Sequence, residues 1–194
     1  HQAVTIRENE AATAERAYSE GFVVPRIPSV RNGKKVAVVG GGPSGLGAAD
    51  KLNQMGYTVT VFEKNESIGG LLRFGIPDFK LNKHVIDRRL AVLEAEGVTF
   101  KTGVTVGKDG DITPEALEND FDAIVLCIGA ETPRDLRVEN RDVKGVHFAL
   151  ELLQQQNRVN AGVEFSKAER ISAKGKNVLV IGGGDTGSDC VGTS

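Results

Sequence analysis

Two glycine-rich segments have the composition and spacing that let a main chain hold a phosphate. Residues 40–45 read GGGPSG and residues 182–187 read GGGDTG, so both contain the spacing GxGxxG. In such a loop the first glycine permits a tight turn, the second lets a pyrophosphate approach the main chain, and the third lets a helix pack against a strand. The amides and dipole of the helix N-terminus then favour an anion. Both segments therefore predict dinucleotide binding.

An acidic residue supports this reading of the first loop. Glu63 follows Gly40 close to the ~20-residue offset at which a carboxylate meets the ribose of an adenosine half. The alternative is that Glu63 is simply a solvated residue at the end of a strand. Because ribose hydroxyls occur in both NAD and FAD, this unit alone leaves the ligand open between them.

The elements around the first loop have the order that a dinucleotide fold needs. Residues 36–39 form a short apolar run typical of a buried parallel strand. A helix over 46–55 and a strand over 57–62 complete one βαβ unit. Further elements are predicted as helix 81–96, strand 98–102, a short helix starting at Pro114 behind the cap Thr113, strand 123–128, helix 147–156, loop 157–175 and strand 177–181. The fold class is α/β, a Rossmann-like domain with a mostly parallel sheet.

The N-terminal part carries different signals. Residues 4–20 predict a helix with a capping box of Thr5 and Glu8, a stop at Gly21, and a position beside the first loop. Residues 25–35 have the composition of a linker. We therefore divide the chain into 1–33 (helix and linker), 34–135 (the first nucleotide-binding domain) and 136–194 (the start of a second).

Composition excludes several classes of function. The 194 residues carry a net charge of −2, which predicts no affinity for nucleic acid or anionic membranes. No apolar run approaches the ~20 residues of a membrane span, and the first 20 residues lack a signal-peptide core. Two cysteines give no disulfide framework, so we expect a cytoplasmic protein. With His1 first and Met55 its only methionine, the sequence is expected to be a fragment or processed chain.

From residue 36 onward the sequence resembles the small (beta) subunit family of glutamate synthase. It is also similar to the flavin part of dihydropyrimidine dehydrogenase and to NADPH-dependent ferredoxin oxidoreductases. The resemblance rests on VAVVGGGPSGLGAA (36–49), FEKNESIGGLLRFGIPDFKL (62–81), VLCIGAETPRDL (125–136), GVHFALELL (145–153) and GKNVLVIGGGDTGSDCVGTS (175–194). The opening helix looks like the one that follows a cysteine-rich iron–sulfur domain in this family.

The resemblance implies that the first loop holds FAD and assigns further residues to it. Its cofactor-binding residues would be Gly40, Gly42, Pro43, Ser44, Gly45 and Glu63, the doublet Gly69 and Gly70 with Leu71, the flavin-ring segment Ile76 and Pro77, the adenine contact Val106, and the closing turn Gly129 and Ala130. The alternative for the doublet is an ordinary turn. Cys127 and Ile128 replace the Ala and Thr that are usual before the closing turn, a departure from the family pattern.

The resemblance also assigns the second loop. Gly182, Gly184, Asp185, Thr186 and Gly187 would take the pyrophosphate of NAD(P)H, in a domain expected to be truncated in this sequence. Iron–sulfur clusters are expected only in an N-terminal part of the parent that this sequence lacks. The implied partner is the glutamate synthase large subunit or another iron–sulfur or electron-acceptor protein. The choice between NADPH and NADH stays open.

Three functions follow from these residues. The first is a flavoprotein oxidoreductase that passes a hydride from NAD(P)H to FAD and electrons onward, for glutamate synthesis from glutamine and 2-oxoglutarate or in an NAD(P)H:ferredoxin-type reaction. The fragment alone is expected to be inactive. The second is a flavin-binding or assembly module without turnover. The third is a simple NAD-dependent dehydrogenase that uses only the first loop. Because the cofactors supply the reactivity, no catalytic acid, base or nucleophile is assigned.

For most of the remaining reactive residues we expect structural rather than chemical roles. Cys127 is expected to be a small buried apolar residue, and neither it nor Cys190 has a CxxC partner for redox chemistry. The histidines, His1, His84 and His147, are scattered, so no metal site is predicted. Arg88 and Arg89 are expected on a solvated helix face, while Lys80 follows the flavin-ring segment and is a candidate contact of the cofactor.

Overall fold

The computed structural model describes residues 4–194, and its centre is a four-stranded parallel sheet with the strand order β3-β2-β1-β4. The strands are β1 (Lys35–Val39), β2 (Thr58–Glu63), β3 (Thr99–Thr102) and β4 (Ala123–Leu126). The helices are α1 (Ile6–Ser19), α2 (Pro43–Gln54), α3 (Leu71–Phe74), α4 (His84–Ala95), α5 (Pro114–Asp120), α6 (Ala149–Asn160) and α7 (Asp185–Thr193). The predicted α/β class with a parallel sheet is confirmed.

The central strands are held by register and by burial on both faces. Val38 of β1 lies opposite Val61 of β2 and Val125 of β4. Val38 and Val61 are fully buried. Continuous apolar runs are expected where helices cover both faces of a parallel sheet. Because Val39 pairs with Phe62 in parallel register, the carboxyl ends of β1 and β2 reach the same edge of the sheet, where Gly40 follows β1 and Glu63 ends β2.

Helices cover the two faces of the sheet with separate cores. One core contains Val38, Ala49, Val59, Val61, Leu93 and Val98, which come from the sheet, from α2 and α4, and from the turn before β3. The other contains Ala37, Val39, Phe62 and Leu117 of α5. Thr113 caps α5 by accepting a hydrogen bond from the Ala116 amide at 3.3 Å, as predicted.

Helix α1 forms where predicted, but its cap and its packing differ from the prediction. The Thr5 side chain makes no capping hydrogen bond, so the predicted capping box is wrong. Gly21 adopts φ +73 and ends the helix, as predicted. The helix lies against α4 rather than the glycine loop, through a paired contact of Arg88 with Glu15 and with the Tyr18 ring, 4.0 Å from the guanidinium carbon.

The second glycine loop lies outside the sheet. The predicted strand 177–181 does not form, and Val178, Leu179 and Ile181 are exposed. A strand needs a neighbour for its main-chain hydrogen bonds, and none of the four strands lies beside this segment within residues 4–194. The predicted loop 157–175 is also partly helical, because α6 continues to Asn160. No helix in residues 4–194 combines the length and apolar character needed to cross a bilayer.

Candidate functional site

Two positions of the first glycine loop have no room for a Cβ atom. Gly40 has φ +108, and a Cβ there would stand 2.3 Å from the Cys127 carbonyl oxygen. A Cβ at Gly45 would stand 1.9 Å from the carbonyl oxygen of Gly40. The first glycine therefore permits the turn, and the third lets α2 start directly against the turn. These are the roles that the spacing predicts.

Gly42 differs from its neighbours because nothing in the protein requires a glycine there. Its φ of −76 and ψ of −177 suit any residue, and the nearest atom to a Cβ would be the Gly70 Cα at 3.9 Å. The space in front of Gly42 is thus left open by the protein itself. An open main chain at a helix N-cap fits a pyrophosphate, and a side chain would occupy that space.

The glycine doublet packs directly on this loop. The Gly69 amide donates a hydrogen bond to the Gly41 carbonyl at 2.9 Å. Gly70 has φ +52, and a Cβ on it would stand 2.8 Å from the Gly42 Cα. The doublet is therefore a close main-chain approach to the loop rather than an ordinary exposed turn. It forms the second wall of the space in front of Gly42.

Glu63 is a buried carboxylate that reaches back to the loop. Its side chain is only 5% exposed, so the alternative of a solvated strand end is wrong. Its Oε2 accepts a hydrogen bond from the Gly41 amide at 2.7 Å. Its Oε1 accepts from the main-chain and side-chain nitrogens of Asn65 at 2.9 and 2.6 Å. Because each carboxylate oxygen has about two lone pairs, Oε2 keeps one acceptor position for a ribose hydroxyl.

The N-terminus of α2 contributes free amides and the positive end of the helix dipole to the site. Pro43 is the first helical residue, Gly42 is the N-cap, and no side chain caps the helix. The first-turn amides therefore lack partners within the helix. Pro43 and Ser44 are exposed there. Together with the cradle of Gly42 and Gly70 and the fixed Glu63, this arrangement fits the diphosphate and ribose of a dinucleotide.

The predicted flavin-ring segment follows the doublet and is held from one side by a lysine. Leu71 begins α3 and is exposed, whereas Pro77 is buried and Ile76 is half-buried. The Lys83 ammonium donates hydrogen bonds to the carbonyls of Ile76, Leu72 and Leu81. Burial lowers the pKa of Lys83, while nearby Asp78 acts in the opposite direction. Lys83 thereby fixes the main chain of this segment.

The predicted adenine contact lies beyond the end of β2. Val106 is half-buried against the core that contains Phe62, and it makes an isolated parallel bridge with Ile112. Its neighbours Thr105 and Gly107 bond to Asp111 and Ile112 through their amides. In residues 4–194 the Val106 amide has no protein acceptor. This main-chain donor lies two residues beyond Val104, whose amide donates a hydrogen bond to the Glu63 carbonyl at 3.0 Å.

The predicted closing turn lies on the other side of the loop. Gly129 has φ +69, and both Gly129 and Ala130 are exposed. An ion pair between Lys64 and Glu131, with 2.5 Å between nitrogen and oxygen, joins this turn to the end of β2. Strand β4 ends at Leu126, so Cys127 lies just outside it. Cys127 is half-buried, less than predicted, and packs against the sheet core.

The second glycine loop repeats the backbone of the first. Gly182 has φ +120, and Gly184 caps α7 with φ −81 and ψ −175, close to the Gly42 values. A Cβ at Gly187 would stand 2.3 Å from the Gly182 carbonyl oxygen, which matches the relation of Gly45 to Gly40. Asp185 and Thr186 begin α7 and are exposed. The local sequence is thus sufficient to form this loop, although the predicted strand 177–181 before it does not form.

Other candidate residues have structural partners. Lys80 forms an ion pair with Asp189 of α7. Arg88 is mostly buried on Glu15 and Tyr18, so its predicted solvated position is wrong, and Arg89 pairs with Asp50 at 2.9 Å. Within residues 4–194 no cluster of three metal-binding side chains exists, and His1 lies outside the described residues.

Asn65 and Lys83 support the site but are not among the site residues predicted from the sequence. Asn65 follows Glu63 by two positions and fixes its Oε1, and Lys83 reaches three carbonyls from the start of α4. An Asn two residues beyond a strand-end carboxylate is a local signal that could have indicated the first contact. The contacts of Lys83 depend on the fold of the segment 71–82, which the sequence pattern does not define.

Similarity to known proteins agrees with this geometry. A family model described as pyridine nucleotide-disulphide oxidoreductase matches residues 34–193. The chain is 48% identical over 192 residues to the glutamate synthase [NADPH] small chain of Bacillus subtilis and 50% identical over 193 residues to that of Mycobacterium tuberculosis. These matches cover 99% and 98% of this chain but only 38% and 39% of those relatives. The resemblance read from the motifs is confirmed.

A fungal relative and solved structures extend the similarity. Glutamate synthase [NADH] of Schizosaccharomyces pombe is 48% identical over 98% of this chain, which spans 9% of that protein. FprA of Mycobacterium tuberculosis in complex with NADPH aligns with a TM-score of 0.57 at 26% identity, over 64% of this chain and 29% of that one. A 2-naphthoyl-CoA reductase aligns at 0.53 and 25% identity, over 73% of this chain and 20% of that one.

Proposed function

Because the chain belongs to the pyridine nucleotide-disulphide oxidoreductase family, we propose that it is the FAD-binding part of a flavoprotein oxidoreductase that takes its reducing equivalents from NAD(P)H. Residues 34–135 are the FAD-binding domain, and residues 136–194 begin the domain for NAD(P)H. Bound FAD would supply the redox chemistry by accepting a hydride from the nicotinamide. The protein's own residues bind and orient both nucleotides.

One observation supports this function more than any other. The buried Glu63 carboxylate bonds to the Gly41 amide at 2.7 Å, and beside it the Gly42 main chain is open while Gly70 closes the opposite wall. A carboxylate, a bare main chain and a helix N-terminus thus converge at the carboxyl edge of a parallel sheet. Nucleotides bind at that edge in open α/β sheets. A purely structural glycine turn would not require Gly42.

The residues have separate roles in the proposed complex. The amides at the start of α2 and the Gly42 main chain hold the FAD diphosphate. Glu63 accepts a hydrogen bond from a hydroxyl of the adenosine ribose. Val106 offers its main chain to adenine. The doublet with Leu71, Ile76 and Pro77 borders the ribityl chain and flavin ring, where Gly129 and Ala130 close the site. The second loop, with Gly182, Gly184, Asp185, Thr186 and Gly187, holds the diphosphate of NAD(P)H.

The wider reaction follows from the similarity to glutamate synthases. We propose that electrons leave the flavin singly through iron–sulfur centres outside this sequence and reach a large-subunit partner. That partner would use them to form glutamate from glutamine and 2-oxoglutarate. Relatives named for NADPH match this chain at 48% and 50% identity, and a relative named for NADH matches it at 48%. The proposal therefore includes both nicotinamide nucleotides. We propose a cytoplasmic location, because Cys127 and Cys190 are both free thiols, which are typical of a reducing compartment.

Flavin content and flavin reduction test this function together. The full-length protein is purified, its flavin is released by denaturation and identified, and the absorbance near the flavin maximum is followed after NADPH or NADH is added without oxygen. We expect one FAD per chain, loss of its absorbance with nicotinamide nucleotide, and reduction of an added dye. If the protein contained flavin but neither nucleotide reduced it, the proposed oxidoreductase function would be contradicted.

A second candidate is a flavin-binding or assembly module without turnover. The observation that favours it is the exposed segment 178–181, which pairs with none of the four strands, so the second loop lacks the strand that normally supports it. Such a protein would contain FAD that NAD(P)H does not bleach but that dithionite does. Stoichiometric NAD in place of FAD in the extract would instead support a simple dehydrogenase that uses the first loop alone.

A further inference from the structure

Helix α7, which begins at the second glycine loop, packs on the segment that follows the glycine doublet. A Cβ on Gly192 of α7 would stand 2.7 Å from the Phe79 ring, so the helix and this segment touch closely. Asp189 and Cys190 are the buried residues of α7. The second loop is therefore placed by residues 77–80 and by α6 rather than by the sheet.

The polar contact of this interface is an ion pair between Lys80 and Asp189. The Asp189 side chain is 11% exposed and that of Lys80 is 36% exposed. The contact is an ion pair rather than an aligned hydrogen bond. A carboxylate with so little exposure is costly to leave unpaired. Its position is therefore strongly tied to that of the lysine.

Lys80 is itself fixed to the first nucleotide site. Its amide donates a hydrogen bond to the Pro77 carbonyl at 3.0 Å, within the predicted flavin-ring segment. That segment continues from α3, whose N-cap Gly70 packs on Gly42 of the first loop. A short run of main chain thus connects the first loop to Lys80, and the ion pair connects Lys80 to α7.

Helix α6 supports the same segment from its other side. The Asn157 side-chain amide donates to the Phe74 carbonyl at 2.9 Å in a buried contact. The Asn160 amide donates to the Asp78 carboxylate at 2.8 Å. Because α6 also packs against α7, the segment, α6 and α7 form one packed unit. In this unit the ion pair is the direct charge contact between the flavin-ring segment and the helix of the second loop.

We infer that Lys80 and Asp189 are positioning residues that set the second glycine loop against the flavin-ring segment. This inference rests on the function proposed above. Asp189 lies two residues beyond the loop and one helical turn after Asp185, the first residue of α7, so its replacement leaves the diphosphate-binding amides in place. What changes is the alignment of the bound nicotinamide with the flavin. Misplacement by about 1 Å can lower the rate of a reaction about 100-fold.

The test is stopped-flow reduction of the flavin by NADPH in the full-length protein, with four variants. These are Lys80→Met, Asp189→Asn, the double variant, and the control Lys34→Met, which removes an exposed ion pair with Asp122 at the amino end of the strands. We expect Lys80→Met and Asp189→Asn to lower the limiting rate about 10- to 100-fold. Their NADPH dissociation constants and FAD contents should remain close to wild type.

The double variant shows whether the two residues act as one unit. We expect it to be no slower than the slower single variant, while Lys34→Met behaves as wild type. Equal limiting rates in all proteins, rate losses that multiply in the double variant, or loss of FAD from Lys80→Met would each overturn the inference. If only NADH reduces the wild-type flavin, the same comparison is made with NADH. If neither NADPH nor NADH reduces it, the proposed function fails instead, which separates the two outcomes.

Discussion

Glu63 Oε2 lies 2.7 Å from the amide nitrogen of Gly41, so the carboxylate that ends β2 is fixed to the loop that follows β1. The two residues belong to neighbouring parallel strands whose carboxyl ends share one edge. The contact places a negative charge beside the open main chain of Gly42 and leaves one acceptor position on Oε2. Binding of a ribose and of a diphosphate is thereby combined in one rigid corner of the sheet.

Gly42→Ala should abolish FAD binding and preserve the fold. The new methyl group meets no protein atom closer than 3.9 Å and the backbone there is extended, so the free energy of unfolding should change little. The same methyl group would occupy the space of the diphosphate. Flavin content after purification and the thermal midpoint of the apoprotein measure the two effects.

Gly47→Ala is the matched control for that substitution. Gly47 lies on α2 in open space, with nothing within 4 Å of an added Cβ. Ala in place of Gly in a helix interior stabilises by roughly 0.5–1 kcal/mol. This variant should keep its FAD and melt slightly higher. Retention of FAD by Gly42→Ala at the wild-type level would count against a diphosphate in the loop.

Glu63→Gln should weaken FAD binding about tenfold or more. The substitution removes the charge of the ribose acceptor, and a hydrogen bond to a charged group contributes about 1.5–3 kcal/mol. Titration of the apoprotein with FAD, followed by flavin fluorescence, gives the dissociation constant. Glu66→Gln is the control, because Glu66 is an exposed carboxylate nearby that pairs with Arg158 at 2.8 Å. Equal FAD affinities in the two variants would show that Glu63 does not contribute to FAD binding.

Much of the first site could be predicted from the sequence because its determinants are local. The close approach of Gly45 to the Gly40 carbonyl lies within five residues, the turn at Gly40 needs a positive φ that favours glycine, and the Glu63 offset follows from one βαβ unit. The loop 182–187 repeats that backbone for the same reason. The segment 178–181 is different: strand formation depends on a neighbour in space, and the apolar pattern alone does not say whether one is present.

The other differences also arise from contacts between distant residues. Arg88 reads as part of a solvated helix face, yet it is covered by Glu15 and Tyr18 of α1, which periodicity in α4 cannot reveal. Lys80 reads as a possible cofactor contact, yet its partner is Asp189, more than 100 positions away in the chain. Helix α3 has four residues, too few for a periodic pattern.

Asp122→Asn should reduce the acid sensitivity of the fold. Asp122 bonds to Lys34 at 2.7 Å and to the Lys35 amide at 2.8 Å, and these contacts lower the carboxyl pKa below its usual value of 3.8. A lowered folded-state pKa gives stability that is present above pH 3.8 and is lost as the pH falls through the folded value. Urea unfolding at several pH values measures how the free energy of unfolding changes with pH.

The difference between the wild-type and Asp122→Asn curves isolates the contribution of Asp122. The wild type should lose stability between pH 3.8 and the lower folded-state pKa, and Asp122→Asn should lose less over the same range while being less stable at pH 7. Asp120→Asn, which removes an exposed carboxylate at the end of α5, should follow the wild-type curve. If the free energy of unfolding of Asp122→Asn changed with pH as that of the wild type does, the contacts of Asp122 with Lys34 and Lys35 would not contribute to acid sensitivity.

The two cysteines should react with a thiol reagent at different rates. Cys190 is buried on α7, and burial, with a smaller effect of Asp189, raises its thiol pKa. Cys127 is half-buried beside the first loop. At pH 8 a chromogenic disulfide should label Cys127 first and Cys190 slowly. Cys127→Ser should remove the fast phase, and a fast phase that persists in this variant would place the reactive thiol on α7.

The most direct test of the account is a crystal structure of the full-length protein with bound FAD. The account predicts density for the diphosphate against the main chain of Gly42 and the first-turn amides of α2, with a ribose hydroxyl within hydrogen-bonding distance of Glu63 Oε2. A first loop that is empty, or filled by protein side chains while FAD binds elsewhere, would contradict it.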